Sequence, residues 1–192
     1  MIVTLLFCLI VFFASGGVLF LVLILLSRFP HIRRGKKRDA YLPYVDKMVS
    51  SLLFEQVAYT EILESADYKK LSKSKGFNLL LLRSVIQLHA TYAGTYASRL
   101  EGFYTAAGLQ YWSEAKIGRH SWKAKCRGIR EVSEMRYTPA YTLIYRYIDS
   151  RNAVLRLEAL SGLVRLKGFE GLKLLRHYAL PINDWIQINM LH

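Results

Sequence analysis

Two groups of residues have the chemistry to hold a charged partner. The first is Lys116, Arg119, His120, Lys123, Lys125, Arg127 and Arg130, interleaved with Trp112 and Trp122. Cations beside aromatic rings suit acidic protein segments, lipid headgroups or a nucleic-acid backbone. Trp122, Lys123, Lys125 and Arg127 are the residues expected at a partner contact. The second is Arg28, Arg33, Arg34, Lys36, Lys37 and Arg38, six cations within eleven residues and no acid among them. These are expected to contact anionic lipid headgroups.

A reaction would need a different constellation. The chain has no GxxxxGK[ST] phosphate loop, no GxSxG elbow, no HExxH, no cysteines paired at metal spacing and no Glu-x-x-His of the di-metal bundles. Its five histidines are scattered. His89, on an apolar helical face, reads as a satisfied polar group. Glu61, Glu64 and Asp67 read as a solvated helix edge, and Glu131 and Glu134 as surface partners of Arg127 and Arg130 at helical spacing. No catalytic residue, metal ligand or cofactor is expected, and the chain reads as non-enzymatic.

The elements that position these residues begin with Ile2 to Leu26, 25 uncharged residues rich in Leu, Ile, Val and Phe. As a helix this segment would rise about 37 Å, enough to span a bilayer with tilt. A cleaved signal peptide would need cations before its apolar run, and none precede it. Flanking Lys and Arg favour the cytoplasmic side, and here all six follow the span. The expected topology is a single-pass inner-membrane protein, N-terminus outside and C-terminal domain in the cytoplasm. Each cation of the collar near anionic lipid contributes about 1 kcal/mol of attachment. Of the chain's formal +13, six charges lie in this collar, so the excess on the remainder is modest. The two cysteines, Cys8 and Cys126, suit a reducing compartment.

Beyond the span the sequence predicts an all-α protein, divided into a transmembrane helix (1–27), a basic juxtamembrane stem (28–42), a helical linker region (43–118) and repeats (119–192). Val45, Met48, Val49, Leu52, Tyr59, Ile62 and Leu63 recur at helical steps, with Pro43 near the start. The stretch Tyr68 to Gly76, poor in apolar residues, reads as a loop. A second helix runs from about Phe77 with Leu82, Val85, Ile86 and His89 on one face. Gly94 and Gly108 bracket a third, carrying Tyr96, Leu100, Phe103 and Tyr104. Thirteen tyrosines are many for so small a chain, and tyrosine is an interface residue by chemistry.

Three segments then line up as an internal repeat: Trp122 to Cys126 with Ile129, Leu155 to Ala159 with Leu163 and Leu166, and Ile186 to Met190. Pro139 to Ile148 supplies a helix between the first two, closed by the turn Asp149 to Asn152. The stretch Asn152-Ala-Val-Leu-Arg-Leu-Glu-Ala-Leu-Ser-Gly-Leu-Val-Arg-Leu166 resembles the second helix of a HEAT repeat. Gly102 to Leu109, followed by Trp122 to Val132 and Met135, is similar to membrane-anchored bacterial HEAT-repeat proteins. That resemblance implies an α-solenoid scaffold that binds a protein partner without chemistry of its own. The last unit stops at His192, so the expectation is either that something covers Trp185, Ile186, Ile188, Met190 and Leu191 or that the array is a shortened one. The alternative expectation is a membrane-tethered nucleic-acid binder, made less favourable because a tethered chain cannot search DNA freely.

Overall fold

The computed structural model describes residues 38–55 and 57–168, together with Phe13, 15–17, Phe20 and Gly171. The chain divides into two units, Met1–Pro43 and Tyr44–His192. In the first, Phe13, 15–17, Phe20 and 38–43 are helical, and the Phe13 and Phe20 rings are exposed. Most of the expected span 1–27 lies outside the described residues, as do Arg28, Arg33, Arg34, Lys36, Lys37 and the repeat segment Ile186 to Met190. Among the described residues no helix is long and apolar enough to cross a membrane.

The described residues are helical throughout, without a strand, which agrees with the all-α expectation. Residues 38–53 are helical and form α1, so the end of the stem is ordered and Pro43 lies inside helical backbone instead of near its start. The carbonyl deprived of its helical donor by that proline belongs to Asp39, an exposed residue of the first turn. In the second unit, Val45, Met48, Val49, Leu52 and Leu53 turn one buried stripe of α1 inward.

The predicted continuation of this helix to Leu63 does not occur. Phe54 leaves the helical path, its ring 6.3 Å from that of Tyr92 and 6.4 Å from that of Tyr96. Arg99 Nη2 donates to the Val57 carbonyl at 3.0 Å and holds the break. Two short helices follow, α2 (Tyr59–Glu64) and α3 (Ala66–Leu71).

The loop expected over Tyr68 to Gly76 is a second correction. Ser65 Oγ accepts from the Tyr68 amide at 3.2 Å and caps α3. Tyr68 is buried edge-on against Phe77, its ring centroid 6.3 Å away, and its hydroxyl donates to the Ala107 carbonyl at 3.3 Å. One buried aromatic anchors a turn whose other residues, Leu71 and Ala66 apart, are polar. Gly76 then lies in the first turn of α4 (Lys75–His89).

Helix α5 (Thr95–Ala106) lies between Gly94 and Gly108, both at positive φ, as the sequence predicts. Leu100, Phe103 and Tyr104 are its buried face. The remaining helices stack in two pairs: α6 (Gln110–Ile117) with α7 (Trp122–Glu134), and α8 (Tyr141–Tyr145) with α9 (Ala153–Lys167). A 3-10 turn at Thr138–Ala140 leads into α8, and α7 and α9 pack on each other. Asn152 Oδ1 accepts from the Leu155 amide at 3.1 Å to start α9. Ile117, Cys126, Ile129, Val132, Ile144, Leu155, Ala159 and Leu163 form one continuous core through all four helices. The contact of α4 with α7 joins this stack to the preceding helices.

Candidate binding site between α4, α6 and α7

A trough of about 580 Å³ runs where α4 meets α6 and α7. Each helix contributes one stripe at three- and four-residue steps. From α4 come Lys75, Leu79, Leu82, Arg83, Ile86 and Gln87. Trp112, Ala115 and Lys116 come from α6, with Arg119 just past its end. Helix α7 adds Arg127, Arg130, Glu131 and Glu134. Leu79, Leu82, Ile86 and the half-buried Trp112 give the trough an apolar floor, and the charges stand along its rim.

Ion pairs decide which of those charges are available. Lys116 Nζ donates to both Glu131 carboxylate oxygens at 2.6 Å, and Ser113 Oγ donates to Glu131 Oε2 at 2.9 Å. Arg130 donates through Nε and Nη2 to the Glu158 carboxylate at 3.0 and 2.5 Å, a bidentate pair that raises its own pKa. Glu134 accepts from Arg165 Nη1 at 3.4 Å. Both acids and two of the cations are thus engaged. Lys75, Arg83, Arg119 and Arg127 are exposed and have no ion-pair partner among the described residues.

These pairings correct the expectation that Glu131 and Glu134 would bond Arg127 and Arg130 on their own helix. The acids pair across helices, because α6 and α9 bring cations to the buried edge of α7 where the carboxylates are partly desolvated. The expected partner residues are also divided. Arg127 lies in the trough. Lys125 Nζ instead lies 4.7 Å from the centroid of Tyr147, on the side facing α8, and Lys123 Nζ lies 5.6 Å from the ring of Trp122, which is 40% exposed. Arg38, of the expected lipid contacts, is helical and exposed. Missing from the sequence reading were Lys75, Leu79 and Arg83 as site residues. Their signal was the mixture of cations with leucine and isoleucine on one α4 stripe, recurring at 75, 79, 82, 83 and 86.

A second hollow of about 690 Å³ opens at the turn between α4 and α5, beside Glu134, Arg136 and Arg165. Its charges are mutually satisfied, with His89 Nε2 at 2.9 Å and Arg136 Nε at 3.9 Å from Glu101 Oε1. His89 is therefore the satisfied polar group that its sequence position suggests. Among the described residues no group of His, Cys, Asp and Glu is placed to hold a metal ion. Cys126 is 8% exposed and burial pushes its thiol upward, the reverse of what a nucleophilic thiolate requires. What the trough can do is bind an anion that also carries apolar surface. Compared with known proteins, the chain matches no family model, no curated protein and no solved structure.

Proposed function

We propose that this chain is a membrane-anchored, non-enzymatic scaffold whose cytoplasmic, HEAT-like helical domain holds a protein partner at the inner membrane. The apolar segment Ile2 to Leu26 is the anchor, and the cationic collar that follows sets its orientation. The stacking of α6 with α7 and α8 with α9, joined by α7 on α9, supports the repeat reading. The observation that carries the binding reading is the trough, in which four cations without an ion-pair partner among the described residues border an apolar floor.

A nucleic-acid reading draws on the same cations. The floor of Leu79, Leu82 and Ile86 favours a protein, since backbone phosphates gain nothing from aliphatic contact.

The test is site-specific photo-crosslinking in cells from Arg127, with Arg151 on the far turn before α9 as control. A protein adduct specific to position 127 is expected. Adducts at neither position, or equal adducts at both, would count against a scaffold that uses this face. Alkaline phosphatase fused after His192 should be inactive; an active fusion would reverse the topology.

A further inference from the structure

The trough is lined by stripes from three helices, each recurring at three- and four-residue steps along its helix. From Lys75 to Gln87 the α4 side extends about 18 Å, or about three helical turns, at 1.5 Å per residue. Its apolar residues 79, 82 and 86 form a line along the floor, with Lys75 and Arg83 on α4 and Arg119 and Arg127 opposite. A compact small molecule would need its polar contacts to converge on one point. Here they are spread along two edges of a line, which is how a groove receives the apolar stripe of a helix. Charge selects the occupant. The unpaired groups are all cationic, because Glu131 and Glu134 are held by Lys116 and Arg165. A second copy of this chain also carries +13 and would meet the trough with net repulsion.

Resting on the scaffold reading, we infer that the trough receives an amphipathic helix of the partner protein, about three turns long, with an apolar stripe flanked by Asp or Glu. The stripe lies on Leu79, Leu82 and Ile86. The flanking carboxylates pair with Arg83 on one edge and with Arg119 and Arg127 on the other. Trp112 closes the floor beside the stripe.

The probe is a fluorescent 14-residue helical peptide with Leu at positions spaced three, then four, and Glu on both flanks. Its control has Lys in place of each Glu. Binding to the full chain in detergent micelles is read by anisotropy, with circular dichroism confirming that each variant keeps its helix content. The acidic peptide should bind at least about tenfold tighter than the Lys control, and Arg83→Glu with Arg127→Glu should weaken it at least about tenfold. Ile86→Asp should weaken it as well. Arg146→Glu with Arg151→Glu, which removes the same charge on the other side of α8, should leave binding within about twofold. If the double charge reversal disturbs folding, Arg83→Gln with Arg127→Gln replaces it and is held to the same direction.

Equal binding of the two peptides, or an equal loss in both double variants, overturns the inference, since the attraction would then be general. Preferential binding of phosphatidylglycerol vesicles or a 20-nucleotide DNA, lost in the Arg83/Arg127 variant while the peptide fails to bind, overturns it too. Persistence of the cellular crosslink at 127 in the face of peptide failure refutes the helical occupant and leaves the scaffold reading intact. Absence of that crosslink counts against a scaffold that uses this face, and with it against the helical occupant.

Discussion

Lys116 Nζ lies 2.6 Å from both carboxylate oxygens of Glu131 in the lining of the trough, with the two side chains only 15% and 13% exposed. A pair so far from water loses little to screening, and removing one member strands the other. Ser113 Oγ donates to the same carboxylate, and a Gln in place of that glutamate would keep one acceptor oxygen for Lys116 and Ser113 to share. Glu131→Gln should therefore cost about 2 kcal/mol, short of the full penalty for a completely buried pair. A thermal melt followed by circular dichroism measures this, and an unchanged midpoint would show the pair to be incidental. The same variant makes the trough more cationic, so the acidic peptide should bind it tighter even as the fold weakens. Opposite signs in the two measurements separate local charge from global stability.

Arg130 and Glu158 provide the contrast. Their bidentate geometry is good, yet the Arg130 side chain is 58% exposed. Exposed pairs contribute about 0–1 kcal/mol, and salt screens much of that. Arg130→Met should lower stability by less than about 1 kcal/mol, with the loss shrinking further in about 0.5 M salt. A loss as large as that of Glu131→Gln would mean that the α7–α9 contact depends on this pair more than its exposure allows.

Two glycines, Gly128 and Gly162, lie where helices approach closely. A Cβ on Gly128 would lie 2.7 Å from the Ser113 carbonyl oxygen and from Ile117 Cγ1, and 2.9 Å from the Ile117 amide. Backbone cannot step aside without separating α6 from α7. A Cβ on Gly162 would lie 2.6 Å from Ser133 Oγ and 2.9 Å from Ile129 Cγ2, both ends of side chains. Alanine regains about 1 kcal/mol of helix propensity at either site, which offsets part of the strain. Gly128→Ala should thus destabilise by about 2–3 kcal/mol and Gly162→Ala by about 1 kcal/mol or less. Finding Gly162 the costlier position in matched denaturation curves would refute this ranking.

How much of this could be read from the residues follows from the range of each interaction. Helix α5 was legible because its two limits are glycines, and α9 because Asn152 caps it, both local signals. Helix α3 was not. Its single buried residue, Tyr68, is explained by Phe77 and Ala107, which lie nine and 39 positions further along. The basic run from Lys116 to Arg130 was visible as composition, but its division between the trough and Tyr147 depends on how α6, α7 and α8 stack. Glu131 illustrates the limit. Helical spacing offered Arg127 as its partner, and the partner chosen is Lys116, 15 residues away on another helix. Such pairings are fixed by packing that no periodicity records.

Alkaline pH should weaken the fold through Tyr104. This residue is fully buried between α5 and its neighbours, and its hydroxyl makes no hydrogen bond of ordinary geometry among the described residues. Burial pushes its phenol far above the usual range; Ser113 nearby is the main effect pulling against this, and the charges of Glu131 and Glu114 add smaller upward pushes. An unfolded tyrosine titrates near about 10. Below that pH both states keep the proton and the group leaves stability unchanged. Above it the unfolded chain gives up its proton while the folded chain retains it, so stability falls as pH rises towards the folded value. The slope attributable to one group approaches about 1.4 kcal/mol per pH unit. Burial raises Tyr68, Tyr137 and Cys126 in the same direction, with the thiol contributing from about pH 8.5. Tyr104→Phe has no proton to lose and strands no hydroxyl. Its stability at neutral pH should equal or slightly exceed that of the parent, and its decline above about pH 10 should be shallower. Denaturation of both proteins at matched pH values checks this. Parallel curves would show that Tyr104 reaches water before it ionises and that the core between α5 and α6 opens more readily than its packing implies.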